Sequence, residues 1–436
     1  MHTAISSLTE SGMEKKSTFP LILLFIYILA DYGKPKVLDS IHPGIILQAL
    51  LVIFLMKDLQ KISTILKDGY FKLYIALLME MGILGFIAVN NYWAFQAFTW
   101  MISFLIFSLA VCLYISDADK LRVFLTGYVI VLAFCAFDQI ITGGKFLGGR
   151  GIMGDANDFA LAMNVVMPIS FYLGLSHNGI KRIGFWLLSA LFVMANVSTF
   201  SRGGFVGMAA VAFLFWLKSE AKARSLIVLS LIVIVFFILS PLIPSQSKKV
   251  GSTYMAEITS IENQGAEQGT GRERIELWKV GWRMFLDHPI LGVGQANISF
   301  HMADYQYDKY GNSYWHRNLW ARAVHSIYFT LMPELGIVGV LIWTLMLKNL
   351  FSKYQAVVLP FRDNPEPAYK NELPFLTTYM TGLSVGLIGY LVTGMFLSAF
   401  YYAHFWHLSA LITTAYMIRK RMETQESNIP SYTAEE

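Results

Sequence analysis

The sequence predicts an all-α polytopic membrane protein with about twelve transmembrane helices and one large loop outside the cytoplasm that contains an amphipathic helix. Three observations carry this. Of 436 residues, 55% are apolar and only 14% charged, against about 25% charged in an ordinary soluble domain. The mean hydropathy is +0.51, and the apolar residues gather into runs of about 15 to 22, the length that crosses a hydrocarbon core roughly 30 Å thick. The runs lack strict alternation, so they read as helices rather than barrel strands, because unpaired amides are too costly in lipid.

In chain order the runs fall near 19–32, 41–56, 70–89, 97–115, 121–141, 158–175, 184–200, 203–217, 226–244, 327–347, 374–395 and 397–418. Lys15 and Lys16 before Phe19 imitate a secretory signal, but no small-residue cleavage site follows, so the first run is expected to stay as a helix. A single helix over 184–217 would reach about 51 Å, well beyond the bilayer core. Ser201-Arg202-Gly203-Gly204 is expected to turn the chain there, since paired glycines permit a tight turn and arginine is expensive at mid-membrane.

Charge sets the orientation. One set of alternate loops, with both termini, holds twenty Lys and Arg, whereas the opposite short loops hold five: Lys34, Lys36, Lys145, Arg150 and Arg202. The nine in the long segment 245–325 are largely exempt from the positive-inside rule. Both termini of this multi-pass membrane protein are therefore expected in the cytoplasm. The organisation reads as 1–244 with helices one to nine, 245–325 as the outer loop region, 326–421 with helices ten to twelve, and 422–436 as a polar cytoplasmic tail.

The net charge of +5 is spread over loops and forms no basic tract, which argues against nucleic acid as a partner. Cys112 and Cys135 both lie in apolar runs, so neither a disulfide framework nor a cysteine zinc site is on offer. Chemistry is sought first in 245–325. Thr270 with Glu273 reads as a capping box, and Ile275, Trp278, Trp282 and Phe285 recur at helical spacing up to a stop at Pro289.

Arg202 in its turn and Arg272 and Arg274 in the first turn of that helix share the outer face, an arrangement suited to phosphate. Their other role would be to anchor the loop to lipid headgroups. The glycine-rich stretch 143–154, with Lys145 and Arg150, is either an anion cradle or a surface turn. His325, just before the tenth run, is a candidate base because an imidazole titrates near pH 6.5. Its alternative role is an interfacial helix cap, and His301 and His316 compete for the chemistry. Glu334 beside Pro333 is an intramembrane acid and a functional candidate by default, but packing or a helix kink is the reading the sequence favours. Glu80 and Asp138 also lie in membrane runs and suggest no mechanism.

Asp117-Ala118-Asp119 has metal-binding spacing but reads as a short solvated turn. Gly292-Val293-Gly294 follows a helix, not the strand a dinucleotide fingerprint needs. His404 and His407 lack a neighbouring carboxylate or thiolate in sequence, which makes a metal site an unfavoured reading.

Four short pieces in order carry a resemblance: Ser201-Arg202-Gly203-Gly204; Gly271 to Trp278 with Arg-x-x-x-Trp at Arg274; Asp287-His288-Pro289-Ile290-Leu291-Gly292-Val293-Gly294; and His325-Ser326 followed by Glu334-Leu335-Gly336. Over about 150–345 the chain resembles the O-antigen ligase and O-antigen polymerase superfamily of bacterial membrane glycosyltransferases. The resemblance implies a C-type glycosyltransferase-like fold, an undecaprenyl-diphosphate-linked glycan donor, no metal or other cofactor, and reaction at the periplasmic face. It implies that His325 is the essential histidine and that Arg202 and Arg274 engage the diphosphate. Arg272 fits the family spacing less well, Arg150 joins as a further diphosphate candidate, and Asn157 matches a recurring position of undefined role. The expected reaction is ligation of the glycan to lipid A core oligosaccharide. Polymerisation, transfer to protein hydroxyls and, more remotely, transport of the lipid-linked glycan are the alternatives.

Overall fold

The computed structural model describes residues 19–33, 43–143, 153–219, 222–223, 270–307, 310–311, 313, 318–363 and 373–427. Among these the helices are α1 (Phe19–Tyr32), α2 (Pro43–Met56), α3 (Leu59–Leu66), α4 (Gly69–Ile87), α5 (Asn91–Tyr114), α6 (Ala118–Thr142) and α7 (Ala156–Leu175). They continue with α8 (Gly179–Val197), α9 (Arg202–Lys218), α10 (Thr270–Asp287), α11 (Ile298–His301), α12 (Ile327–Asp363), α13 (Leu373–Thr393) and α14 (Ala403–Ser427). No strand occurs among the described residues.

Among the described residues, seven helices are long and apolar enough to cross a membrane: α4 to α8, Ile327–Pro360 of α12, and Phe375–Phe396 through α13. Helices α1 and α2 are shorter and apolar. Each expected run falls on a helix except 226–244, which lies outside the described residues. The helices begin where the sequence supplies a short polar acceptor: Asp68 takes the Tyr70 amide at 2.9 Å, Asp117 that of Lys120 at 2.8 Å, and Asp155 that of Asn157 at 2.6 Å. Asp117 is thus a helix cap. Outward-facing apolar side chains such as Met79, Ile83, Phe134 and Leu187 are exposed in the chain itself and are matched to lipid.

The turn between α8 and α9 differs from the expected one. It is made by Thr199 and Phe200, the latter at φ +58°, while Arg202, Gly203 and Gly204 form the first turn of α9 behind the cap Ser201. The glycines are needed for close packing instead. A methyl on Gly204 would lie 2.5 Å from Ala160 Cβ, and one on Gly207 would overlap the Thr393 hydroxyl. Asn164 donates to Gly204 O and Thr393 Oγ1, both at 2.9 Å, and Asn196 donates to Asn164 Oδ1 at 2.6 Å. Small residues and buried amides are how helices approach closely in lipid, where hydrophobicity gives no preference between protein and tails. They lock α9 to α7, α8 and α13.

The tenth run is not one straight helix. At Gly336 (φ +60°, ψ −163°) α12 breaks, and the segment after α10 enters the break. Val293 N donates to Pro333 O at 2.8 Å, Gly294 N to Glu334 O at 2.9 Å, and Ile337 N to Pro289 O at 2.8 Å. Carbonyls and amides that the break would strand in the bilayer are thereby paired. Gly292 (φ +69°) is required as well, since a methyl there would meet the Pro333 and Glu334 carbonyl oxygens at 2.5 and 2.6 Å. The Gly-Val-Gly of the sequence is therefore a close-approach device.

Candidate functional site

Helix α10 is the platform. Its buried face is Leu277, Val280 and Met284, packed with Val293, Ile298, Met302, Leu319 and Val324 in a small core separate from that of the bundle. This corrects the sequence expectation: Ile275 and Trp282 point outward, and only Trp278 and Phe285 of the expected stripe are half-buried. Trp278 stacks on Phe329 at 5.3 Å and its indole N–H donates to Val324 O at 3.1 Å. On the other side of His325, Ser326 accepts the Phe329 amide at 3.5 Å and so starts α12. Between these two anchors His325 adopts φ +52°, a left-handed conformation uncommon for a side chain that is not glycine.

Arg274 lies one helical turn before Trp278, which explains the Arg-x-x-x-Trp spacing: the tryptophan fixes the helix against Val324, and the turn above brings the guanidinium to the imidazole. Loss of solvation, and next the Arg274 charge, push the His325 pKa below its ordinary value. The ring is nonetheless exposed, and no hydrogen bond to it is formed by a described residue. Arg274 is half-buried. Loss of solvation, and then the nearby charge of Arg202, lower its own pKa, with Asp155 and Glu273 acting the other way. Arg274 thus stands between the two: the charge of Arg202 acts on it, and its own charge acts on the imidazole.

Asn157 belongs to the same group. Its carbonyl oxygen accepts the Ser201 hydroxyl at 2.7 Å, and its amide donates to Asp155 Oδ1 at 2.9 Å. It ties the start of α7 to the cap of α9 and so to the half-buried Arg202 that follows. Asp155, which sequence reasoning did not single out, is an acidic group acting on both Arg274 and His325. The available signal was its position as a cap two residues before Asn157. Arg322, also unforeseen, pairs with Glu273 at 3.3 Å and lowers the His325 pKa further.

Glu334 has a definite task. Its carboxylate accepts the amides of Ala296 at 2.9 Å and Ile298 at 3.2 Å and the Tyr401 hydroxyl at 2.7 Å. Buried Gln295 donates to Met81 O at 2.7 Å, and Asn297 accepts the Asn90 amide at 2.7 Å. The segment 289–298 is thereby fastened to α4, α5 and α12. Glu334 positions the loop, the packing role weighed for it from the sequence.

Of the other candidates, Arg150 and His316 lie outside the described residues, and only the backbone of Arg272, in the first turn of α10, is described. His301 pairs with Asp304 at 3.2 Å on the loop surface. Among the described residues no group of three or more His, Cys, Asp or Glu side chains is arranged to hold a metal ion. His407 faces the Tyr32 hydroxyl at 3.2 Å inside the bundle.

Residues 187–344 match the family model described as O-antigen ligase. The match spans Arg202, Arg274, His325 and Glu334 and supports the O-antigen ligase and polymerase superfamily that the sequence motifs imply. No curated protein matches the chain.

Proposed function

From a chain that matches an O-antigen ligase family across its candidate site, we propose a glycosyltransferase that moves a preassembled glycan from undecaprenyl diphosphate to a sugar hydroxyl of the lipid A core. The reaction takes place at the periplasmic face of the inner membrane, with both termini in the cytoplasm. One observation carries the reading: after loss of solvation, the charge of Arg202 lowers the pKa of Arg274, and the charge of Arg274 in turn lowers that of His325. Like charges crowded in a partly dehydrated place are relieved by an anion with two negative phosphates, and arginine forks suit phosphate oxygens.

In this mechanism the acceptor hydroxyl attacks the anomeric carbon of the donor. The new C–O bond forms as the bond to the diphosphate breaks, and undecaprenyl diphosphate leaves with the electron pair. Arg202 and Arg274, with Arg272 and Arg150 as further candidates, neutralise the charge that develops on the leaving group. His325, neutral because its pKa is lowered, takes the hydroxyl proton, a contribution of about 10² to 10⁴ in rate. A single displacement inverts the anomeric centre. Asn157 and Glu334 act through others: the first on the cap that carries Arg202, the second on the loop.

The test is transfer in liposomes by purified protein given defined undecaprenyl-diphosphate-linked glycan and three acceptors: lipid A core, a growing glycan chain and a serine-containing peptide. Product on the core supports the proposal. Product only on glycan or peptide assigns a sibling reaction with the same donor. Movement of donor between leaflets without product makes the protein a transporter and overturns the enzymatic reading.

A further inference from the structure

A second feature lies at the opposite end of the bundle. Helix α5 leaves Asn90, which holds Asn297 near the candidate site, and runs 24 residues to Tyr114, a rise of about 36 Å. There, a cavity of about 1030 Å³ opens between the start of α1, the α2–α3–α4 corner, the α5–α6 junction and the end of α14. Its basic lining residues are Lys57, Lys61, Lys67, Lys120, Lys420 and Arg421, against two carboxylates, Asp58 and Asp68. Both carboxylates are already engaged: Asp58 by Lys61 at 2.5 Å, and Asp68 by the buried Lys353 at 2.6 Å. Lys120 is paired in turn with Asp117 at 2.8 Å, so the excess of positive charge in the concavity comes from Lys57, Lys67, Lys420 and Arg421, contributed by separate parts of the chain.

Lysines scattered on solvated loops would satisfy the positive-inside rule without a cavity. Here they converge on one, and they are braced. Lys57 lies over the Phe54 ring at 4.7 Å, Lys420 over Tyr416 at 5.1 Å, and Arg421 donates to the Ser116 and Cys112 carbonyls at 3.0 and 3.3 Å. Beside the hydroxyls of Thr64 and Ser116, the wall presents apolar Leu21, Phe54 and Leu113 on helices that continue into the hydrocarbon. A basic rim over an apolar wall matches a phosphate joined to acyl chains, and basic pockets between membrane helices bind such headgroups. A soluble phosphate would use the rim and leave the wall idle.

We propose that this cavity holds the phosphate headgroup of an anionic phospholipid from the leaflet opposite His325, with an acyl chain along Leu21, Phe54 and Leu113. The assignment does not depend on the glycosyl-transfer reading.

Native mass spectrometry of the full chain, released from mixed phosphatidylglycerol and phosphatidylcholine micelles, tests it. The wild type is expected to retain phosphatidylglycerol over phosphatidylcholine by about tenfold, a preference that salt weakens. The combined variant Lys57→Ala, Lys61→Ala, Lys67→Ala is expected to fall to parity. The matching Lys→Arg variant and the control Lys181→Ala, Lys348→Ala, changed outside the cavity, are expected to keep the preference. A triple alanine variant that still prefers phosphatidylglycerol over phosphatidylcholine as strongly as wild type overturns the proposal. So does complete displacement of the lipid by millimolar glycerol 3-phosphate, which would make the ligand a free phosphate. If the triple variant does not fold, salt titration of the wild type decides: retention unchanged between about 50 and 500 mM NaCl also overturns it.

Discussion

Replacing Gly336 by alanine probes how far α12 and the segment 289–298 form one unit. Gly336 sits at φ +60°, ψ −163°, a region almost exclusive to glycine that costs another residue of order 1–3 kcal/mol. The added methyl would collide with the Ile290 carbonyl and lie 2.7 Å from the Gly292 nitrogen, and overpacking of this kind typically costs about 1–3 kcal/mol more. The two together come to about 2–6 kcal/mol. At 1.4 kcal/mol per tenfold, even the lower figure raises the undocked population of 289–298 about 30-fold. Hydrogen exchange at the amides of Val293, Gly294, Ile337 and Val338, which close the junction at 2.8 to 3.3 Å, should accelerate by that factor or more. Gly184→Ala is the control, since its methyl meets nothing within 4 Å. Exchange at those four amides within about threefold of wild type in Gly336→Ala would refute the reasoning.

Three further outcomes are expected. His325→Ala should lower transfer by about 10² to 10⁴ while donor binding persists; full activity in that variant removes the imidazole from the mechanism. Loss of solvation and then the Arg274 charge hold the His325 pKa down, so Arg274→Ala should raise it and move the acid limb of the activity profile to higher pH, whereas Arg274→Lys should leave the limb in place; a downward shift in the alanine variant contradicts the electrostatic account. Glu334→Ala should strand the Ala296 and Ile298 amides and the Tyr401 hydroxyl at about 1–3 kcal/mol each. Its melting, followed with a thiol probe of the buried Cys112 and Cys135, should fall below that of wild type, with Glu334→Gln between them, and a wild-type melting curve in Glu334→Ala is inconsistent with the loop-fastening role.

The helices were readable because bilayer thickness imposes their length and because Asp68, Asp117 and Asp155 stand where their first amides need acceptors. The break in α12 was not. Pro333 and Gly336 suggest a kink, but the interruption persists only because the backbone of 289–294, some forty residues earlier, supplies the missing partners. No local pattern announces such a distant pairing. Likewise α10 is apolar on two sides, and periodicity cannot tell which stripe the protein buries; it selected Ile275 and Trp282, which face outward. Arg202, Arg274 and His325 were legible as residue types in the sequence. Asp155 was not, because its effect on them arises from a capping position whose proximity is set by α7 packing beside α9.

The segment 289–298 is stitched to backbone and side chains of α4, α5 and α12, so the region around α10 cannot be handled as a detachable module. Expressed alone as a soluble fragment, it would lack the residues that complete its own architecture. Chimeras built to exchange acceptor preference between homologous proteins would need to transplant 79–97 and 327–338 along with the loop, or the graft would arrive without its socket.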